Sequence, residues 1–171
     1  MLEPSDSAES IQFVREAFEI SEKFDTPVFL KMCTRVAHSQ SIVEESDRLE
    51  LAQKQYSKDG AKYIMMPGNA KKRHPIVEER TQKLTEYAET ASFNRVEEGS
   101  DNSLGIITSS TSYQYVKEVC GDKYPVLKLG MINPLPVEKI KNFASNIQKV
   151  IVVEELDGII ETHCKNIGVD V

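Results

Sequence analysis

The chain has 171 residues, of which 40% are hydrophobic and 28% charged. This composition is typical of one ordinary globular domain, or two small ones, with a buried core. A formal net charge of -6 argues against binding to nucleic acid, which requires a basic face. No apolar run approaches the roughly 18 residues of a membrane-spanning helix, so we expect no membrane partner.

The cysteines indicate a reducing environment. Cys33, Cys120 and Cys164 are odd in number and widely spaced, and no Cys-x-x-Cys pair occurs. Local ligands for zinc or an iron–sulfur cluster are therefore missing. We expect three free thiols in a cytoplasmic protein.

The first 43 residues predict one helix followed by one strand. Asp6 and Glu9 form a capping-box pattern, and each side chain is expected to accept from a free backbone N–H of the first turn. Apolar residues then follow at helical spacing, over a face wide enough to be covered on more than one side. Asp25, Thr26 and Pro27 should stop the helix. The nearly continuous apolar run at 28–33 predicts a central parallel strand covered on both faces.

Residues 44–102 are less regular and predict a connector. We expect a short helix within 46–55, an edge strand at 63–66, a turn at 67–69, and a helix that starts at Pro75. The polar stretch 97–102 is the predicted boundary of the following domain.

Residues 103–171 predict an α/β unit. Apolar runs at 104–108, 126–129 and 150–153 read as strands, and each is followed by a helical pattern. Gly121 and Gly168 should end the first and last of these helices, and Pro136 should open the second. Short loops between alternating strands and helices predict right-handed crossovers and a parallel sheet with flanking helices.

Ligands of open α/β sheets bind beyond the carboxyl ends of the strands, and three places qualify. Arg35 and His38 follow the first strand and would bind a carboxylate or phosphate. The alternative is that Arg35 contacts a neighbouring domain and His38 satisfies a backbone group. Residues 109–112 carry hydroxyls that would either hold an anion or cap the next helix.

The third place is Glu154 with Glu155, at the end of the last strand. They would act as a base or metal ligand, or as structural carboxylates that cap a loop or meet a partner domain. His163 lies on the apolar stripe of the last helix, where a half-buried and satisfied imidazole is expected. No arrangement of nucleophile, histidine and acid can be argued from residue order alone.

Several phrases of the sequence carry a family resemblance. The sequences at 3–9, 17–28, 34–39 and 62–75 resemble the α subunit of indolepyruvate:ferredoxin oxidoreductases, and those at 127–136 and 150–155 resemble the C-terminal domain of transketolase-like enzymes. The resemblance covers nearly the whole chain. It implies a piece of a larger thiamine-diphosphate enzyme of anaerobes.

Such an enzyme would oxidatively decarboxylate aryl 2-oxo acids such as indolepyruvate, form an acyl-CoA, and pass electrons through iron–sulfur clusters to ferredoxin. Its partners would be a β subunit, ferredoxin and CoA. Residues 1–43 would be the tail of the domain that holds the cofactor's pyrimidine, and 44–102 the connector. Residues 103–171 would be a truncated, Rossmann-like three-layer domain of the transketolase C-terminal type, which serves packing and assembly.

The sequence departs from the family where the cofactors bind. The Gly-Asp-Gly motif for the diphosphate and its magnesium is absent, and Gly121-Asp122-Lys123 is a turn at a helix end. We therefore expect no catalytic residue, thiamine diphosphate, magnesium or iron–sulfur cluster in this chain, which would be inactive alone. Arg35 and His38 match the family's pattern and remain candidates for cofactor binding. The alternative is a stand-alone α/β module that docks on a partner or binds a small anion.

Overall fold

The computed structural model describes residues 1–48 and 55–171. Its elements alternate in the second half of the chain, as the sequence predicts. The helices are α1 (Ser7–Phe24), α2 (Thr34–His38), α3 (Gly60–Tyr63), α4 (Pro67–Thr90), α5 (Ser112–Cys120), α6 (Val137–Ser145) and α7 (Ile159–Asn166), and the strands are β1 (Arg95–Glu97), β2 (Gly105–Ser109), β3 (Val126–Leu129) and β4 (Val150–Val153).

The four strands form one sheet in the order β1-β3-β2-β4. Strand β2 lies between β3 and β4 and runs parallel to both, with Ile107 opposite Leu127 on one side and Val152 on the other. Strand β1 was not predicted, and it pairs antiparallel with β3 at the sheet edge. The α/β fold with a mostly parallel sheet and flanking helices is confirmed.

Side chains that alternate along the strands build the core on both faces of the sheet. Ile107 faces α6 and α7, where it joins Ile140, Phe143 and Ile160. Ile106 faces the other way and packs with Val116 of α5. These layers give the three-layer arrangement expected of a transketolase C-terminal-like unit.

A third cluster attaches α1 and α4 to the end of β3. Phe13 and Ile20 of α1 pack with Ala88 of α4, and with Phe93 and Met131. The rings of Phe13 and Phe93 meet edge to face, with centroids 5.6 Å apart. Aromatic pairs in this geometry add to the free energy gained by burying their area.

Charged side chains, in addition to the apolar face, hold α1 against the sheet. Lys128 of β3 is fully buried, and its Nζ lies 2.5 Å from Oε2 of Glu9. Arg95 of β1 contacts the other oxygen of Glu9 at 3.0 Å and Glu97 at 3.0 Å. Burial acts to raise the pKa of Glu9, but the ammonium of Lys128 and the other donors outweigh it and hold that pKa below its usual value.

Helix α1 has the boundaries that the sequence predicts. The Asp6 side chain accepts from the backbone N–H of Glu9, and Asp25 ends the helix in the left-handed region with φ 52°. The capping box is confirmed only for Asp6. Glu9 accepts from the N–H of Ser5 instead of Asp6, because its carboxylate is turned toward Lys128 and Arg95.

The predicted central strand at 28–33 is wrong within the residues that the structure describes. Leu30 forms one isolated parallel bridge with Leu2, and Leu2 in turn bridges Met131. Phe29 is 74% exposed and Met32 is 43% exposed. The backbone of the segment is extended, but among the described residues it has a neighbour on one edge only, so no regular strand forms.

The connector also differs from the prediction. The predicted edge strand at 63–66 is wrong, because Tyr63 belongs to α3 and the three residues after it form no strand. The Asp59 side chain starts α3 by accepting from the N–H of Lys62. The predicted turn at 67–69 is instead the start of α4, where Pro67 takes the position whose missing N–H costs nothing. Pro75 lies inside α4 and does not begin it. The helix predicted within 46–55 lies largely outside the described residues.

Sequence-predicted ends of the later helices are confirmed. Gly121 caps α5 with φ 54°, Pro136 is the residue before α6, and Gly168 follows α7 with φ 84°. Helix α4 supplies a cap that the sequence did not reveal. The Glu89 carboxylate accepts from the N–H groups of Glu138 and Lys139, at 3.0 and 2.8 Å, in the first turn of α6.

Candidate functional site

The carboxyl ends of β2 and β4 meet in one cleft of about 300 Å³. Because these strands are parallel neighbours, Ser109 and Ser110 after β2 come to lie close to Glu154 and Glu155 after β4. Residues 31–34 close the third side. Two of the three predicted places, and the segment that leads into the third, are therefore brought together.

A buried carboxylate that the sequence did not reveal lines the cleft. Glu3 is only 4% exposed, and it accepts from the hydroxyl of Ser109 at 3.0 Å. Its other oxygen forms an ion pair with Lys31. No local pattern signals this role, because Glu3 and Ser109 are 106 residues apart in the chain.

Cys33 sits beside the hydroxyls that follow β2. Cys33 is the residue that precedes α2, and its Sγ lies 3.5 Å from Oγ1 of Thr111. Partial burial acts to raise the pKa of the thiol, but hydrogen bonds from Thr111, Ser110 and the N–H of Val36 outweigh it, so the pKa is lowered. These contacts make the thiol of Cys33 more ionisable than that of a cysteine in an apolar core.

Arg35 and His38 both belong to α2 but do not line this cleft. The guanidinium of Arg35 lies over the ring of Tyr115, 5.5 Å from its centroid, which is a cation–π arrangement. His38 is exposed. Their role in binding a cofactor stays a prediction.

The hydroxyls at 109–112 are used in a way that the sequence did not predict. Thr111 is the residue that precedes α5, but among the described residues its side chain makes no capping hydrogen bond to the helix. It is turned toward Cys33 instead, and Ser109 is turned toward Glu3. Ser110 adopts a left-handed φ of 50°. The prediction that a hydroxyl within 109–112 caps the next helix is therefore not met at Thr111, the residue in the capping position.

Glu154 is a structural carboxylate. Its two oxygens accept from the N–H groups of Ile160 and Glu161, at 2.9 and 3.0 Å, in the first turn of α7. The predicted structural role is confirmed, although Glu154 caps the start of a helix and not a loop. A carboxylate here also interacts favourably with the positive end of the helix dipole.

The electrostatics of the cleft disfavour an anionic ligand. Four carboxylates line it, from Glu3, Glu154, Glu155 and Asp157, against the single ammonium of Lys31 among its described lining residues. The Ser109 hydroxyl already donates to Glu3. An anion would therefore meet acceptors where it needs donors.

His163 lies half-buried on α7, as predicted, but it is not satisfied. Its Nε2 atom has no hydrogen-bond partner among the described residues, so that part of the expectation is wrong. Burial lowers the pKa of the imidazole below its usual value. The ring is thereby kept neutral near pH 7.

The described part of the chain shows neither a grouped set of metal ligands nor a membrane-spanning helix. Over residues 1–48 and 55–171, no three His, Cys, Asp or Glu side chains are grouped so as to hold a metal ion. Within those ranges, no helix combines the length and apolar character needed to cross a bilayer.

Comparisons with known proteins decide which family the chain resembles. It is 35% identical to indolepyruvate oxidoreductase subunit IorA of Archaeoglobus fulgidus over 98% of this chain and 28% of that protein. The corresponding values are 37%, 94% and 27% for IorA of Methanothermobacter thermautotrophicus, and 32%, 99% and 28% for IorA of Thermococcus kodakarensis.

The chain matches a segment of subunit IorA. The resemblance predicted from the sequence is confirmed, and it extends over nearly all residues of the chain. The chain spans between a quarter and a third of the length of these relatives. No family model and no solved structure matches it.

Within the segment that matches IorA, buried polar contacts join α1 and α4 to the sheet. Sequence reasoning missed Lys128 and Asn94 because charged and amide side chains are rarely fully buried. Asn94 is 1% exposed, donates to the carbonyl of Ala88, and accepts from the N–H groups of Gly130 and Met131. These two residues hold α1 and α4 on the sheet.

Proposed function

We propose that this chain is part of the α subunit of an indolepyruvate oxidoreductase. The enzyme would oxidatively decarboxylate aryl 2-oxo acids such as indolepyruvate, form the acyl-CoA, and transfer the two electrons to ferredoxin. The observation that carries the proposal is the continuous similarity to IorA over 94–99% of the chain. A β subunit, ferredoxin and CoA are the proposed partners in a cytoplasmic complex.

This part of the subunit would serve packing and assembly. Thiamine diphosphate, magnesium and iron–sulfur clusters are the proposed cofactors of the whole enzyme. Among residues 1–48 and 55–171, no three His, Cys, Asp or Glu side chains are grouped so as to hold a metal ion. Cys33 and the buried Cys164 lie in different surroundings and offer no paired thiolates.

The proposed domains are the tail of a pyrimidine-binding domain at 1–43, a connector at 44–102, and a transketolase C-terminal-like domain at 103–171. The ion pair between Glu9 and Lys128 supports a joining role, since it ties the first of these parts to the last. The antiparallel pairing of β1 with β3 likewise joins the connector to the sheet. Such a joint would keep the two domains in a fixed orientation.

The test is an activity measurement on the native polypeptide that contains this sequence, purified together with its partner subunit. We expect ferredoxin reduction that requires both CoA and indolepyruvate, and that is slower with pyruvate as the matched control substrate. The 171-residue chain alone should show none. Absence of CoA-dependent reduction with any aryl 2-oxo acid, in a complex that retains its cofactors, would overturn the proposal.

A further inference from the structure

The extended segment at 28–32 is incompletely covered. Its sequence, Val-Phe-Leu-Lys-Met, is apolar on both sides of the backbone, apart from Lys31. A strand of this composition is typical of a sheet interior, where both faces and both edges are covered. Among residues 1–48 and 55–171, one face and one edge of the segment are covered and the others are not.

The covered side faces α1. Val28 and Leu30 pack against the cluster that contains Phe13 and Ile20. Side chains of an extended backbone alternate between two faces, so Phe29 points the opposite way. Phe29 is 74% exposed, which leaves a large apolar residue in water.

The covered edge faces Leu2. The N–H of Leu2 donates to the carbonyl of Phe29 at 2.8 Å, and the N–H of Lys31 donates to the carbonyl of Leu2 at 2.9 Å. In this parallel pattern, the N–H and C=O of Leu30 point away from Leu2. They have no hydrogen-bond partner in the described part of the chain. An edge of this kind is a template for one more strand.

We infer that the outer edge of residues 28–32 pairs with an extended strand from the rest of the same subunit, whose apolar cover also buries the ring of Phe29. The inference rests on the proposed function and deepens it, since it names the docking surface for the remainder. The IorA relatives supply the length for such a strand, because this chain corresponds to only 27–28% of them. Hydrogen bonds between the two backbones would provide the affinity. The fit of the Phe29 ring into the apolar cover would set the register of the added strand.

The test is hydrogen exchange at single backbone amides, measured by mass spectrometry on the 171-residue chain and on the full-length subunit. In the chain alone, the Leu30 amide should exchange freely while the Lys31 amide is protected by Leu2. In the full subunit, we expect the Leu30 amide to exchange on the order of 100-fold more slowly. An unprotected Leu30 in the full subunit would overturn the inference.

Two further outcomes are distinguished by the same measurement. Protection of Leu30 in the isolated chain that rises with protein concentration would identify a second copy as the occupant and overturn the inference. In the full subunit, Phe29→Asp should restore fast exchange at Leu30, whereas Val119→Asp, at a residue on α5 that is 83% exposed, should leave it slow. Equal effects of both variants would contradict pairing at this edge. These results do not depend on which 2-oxo acid the enzyme uses.

Discussion

The sheet strands and the segment at 28–32 are built from similar apolar runs but are covered very differently. Every residue of β2 is buried, with helices on both faces and a parallel neighbour on each side. In the segment, Phe29 is 74% exposed, and within the described part of the chain Leu30 is bridged to Leu2 alone. Strand β2 is covered on all sides within this chain, whereas the segment has the sequence of a covered strand but lacks such cover among the described residues.

The joint between these regions is polar. Glu9, on the helix that leads into the segment, meets Lys128 in the middle of β3. If this ion pair holds the segment at 28–32 on the sheet, breaking it should lower the free energy of unfolding more than any change of an exposed residue.

Replacing Lys128 with methionine should have the largest effect. The change leaves the Glu9 carboxylate in place with one of its two cations removed, and such losses cost about 3 to 5 kcal/mol. The free energy of unfolding, measured by urea titration, should fall by that amount. Lys141→Met removes an exposed i,i+3 pair with Glu138 and should cost under about 0.5 kcal/mol. Equal costs for the two variants would refute the idea of a polar joint.

Replacing Asn94 with alanine should come next. The variant leaves the N–H of Met131 and the carbonyl of Ala88 without their partner inside the protein, at a cost of about 2 to 3 kcal/mol. Asn142→Ala on the exposed face of α6 is the control and should change stability by under about 0.5 kcal/mol. A loss below about 1 kcal/mol at Asn94 would mean that these backbone groups find other partners.

The stability of the chain should depend on acid through Glu9. The pKa of Glu9 is lowered in the folded state from its usual value of 4.5. As the pH falls below that value, the unfolded chain therefore binds more protons than the folded chain. Stability is therefore present above that pH and is lost as pH falls through the folded pKa, by at most about 1.4 kcal/mol per pH unit for one proton. The free energy of unfolding, measured by urea titration at about pH 5 and about pH 3, should fall less in Glu9→Gln than in the unchanged chain. An unchanged slope would exclude Glu9, and exposed Glu118→Gln serves as the control.

Removing the cap of α7 should have the smallest effect. Glu154→Ala loses two hydrogen bonds to the first turn of the helix and should cost about 1 kcal/mol. The adjacent, exposed Glu155→Ala should cost under about 0.5 kcal/mol. If Glu155→Ala proved the more costly of the two, Glu154 would not be the structural carboxylate described here.

The same comparison explains what the sequence could predict of the fold. Strands β2, β3 and β4 were predictable because each is an apolar run bounded by turn residues, and their cover lies in this chain. Strand β1 was missed because Arg95, Val96 and Glu97 alternate over only three residues and pair with β3 across the sheet. The strand predicted at 28–33 failed because its pattern reflects partners that no local sequence reveals.

The candidate site was predictable to a similar extent. The rule that ligands gather beyond strand ends located Ser109, Ser110 and Glu154. It could not reveal Glu3, which reaches them from the other end of the chain. Arg35 and His38 were chosen for their place after a strand, but α2 carries them away from the cleft. Contacts distant in sequence, and not residue types, decided each of these outcomes.

The central claim is that this chain is part of a longer oxidoreductase subunit that supplies the missing cover. The most direct measurement is the size of the native polypeptide, detected in an extract of the source cells with antibody raised against this chain. The account predicts a band several times heavier than the 19.3 kDa of the chain. A native band at 19.3 kDa would contradict it.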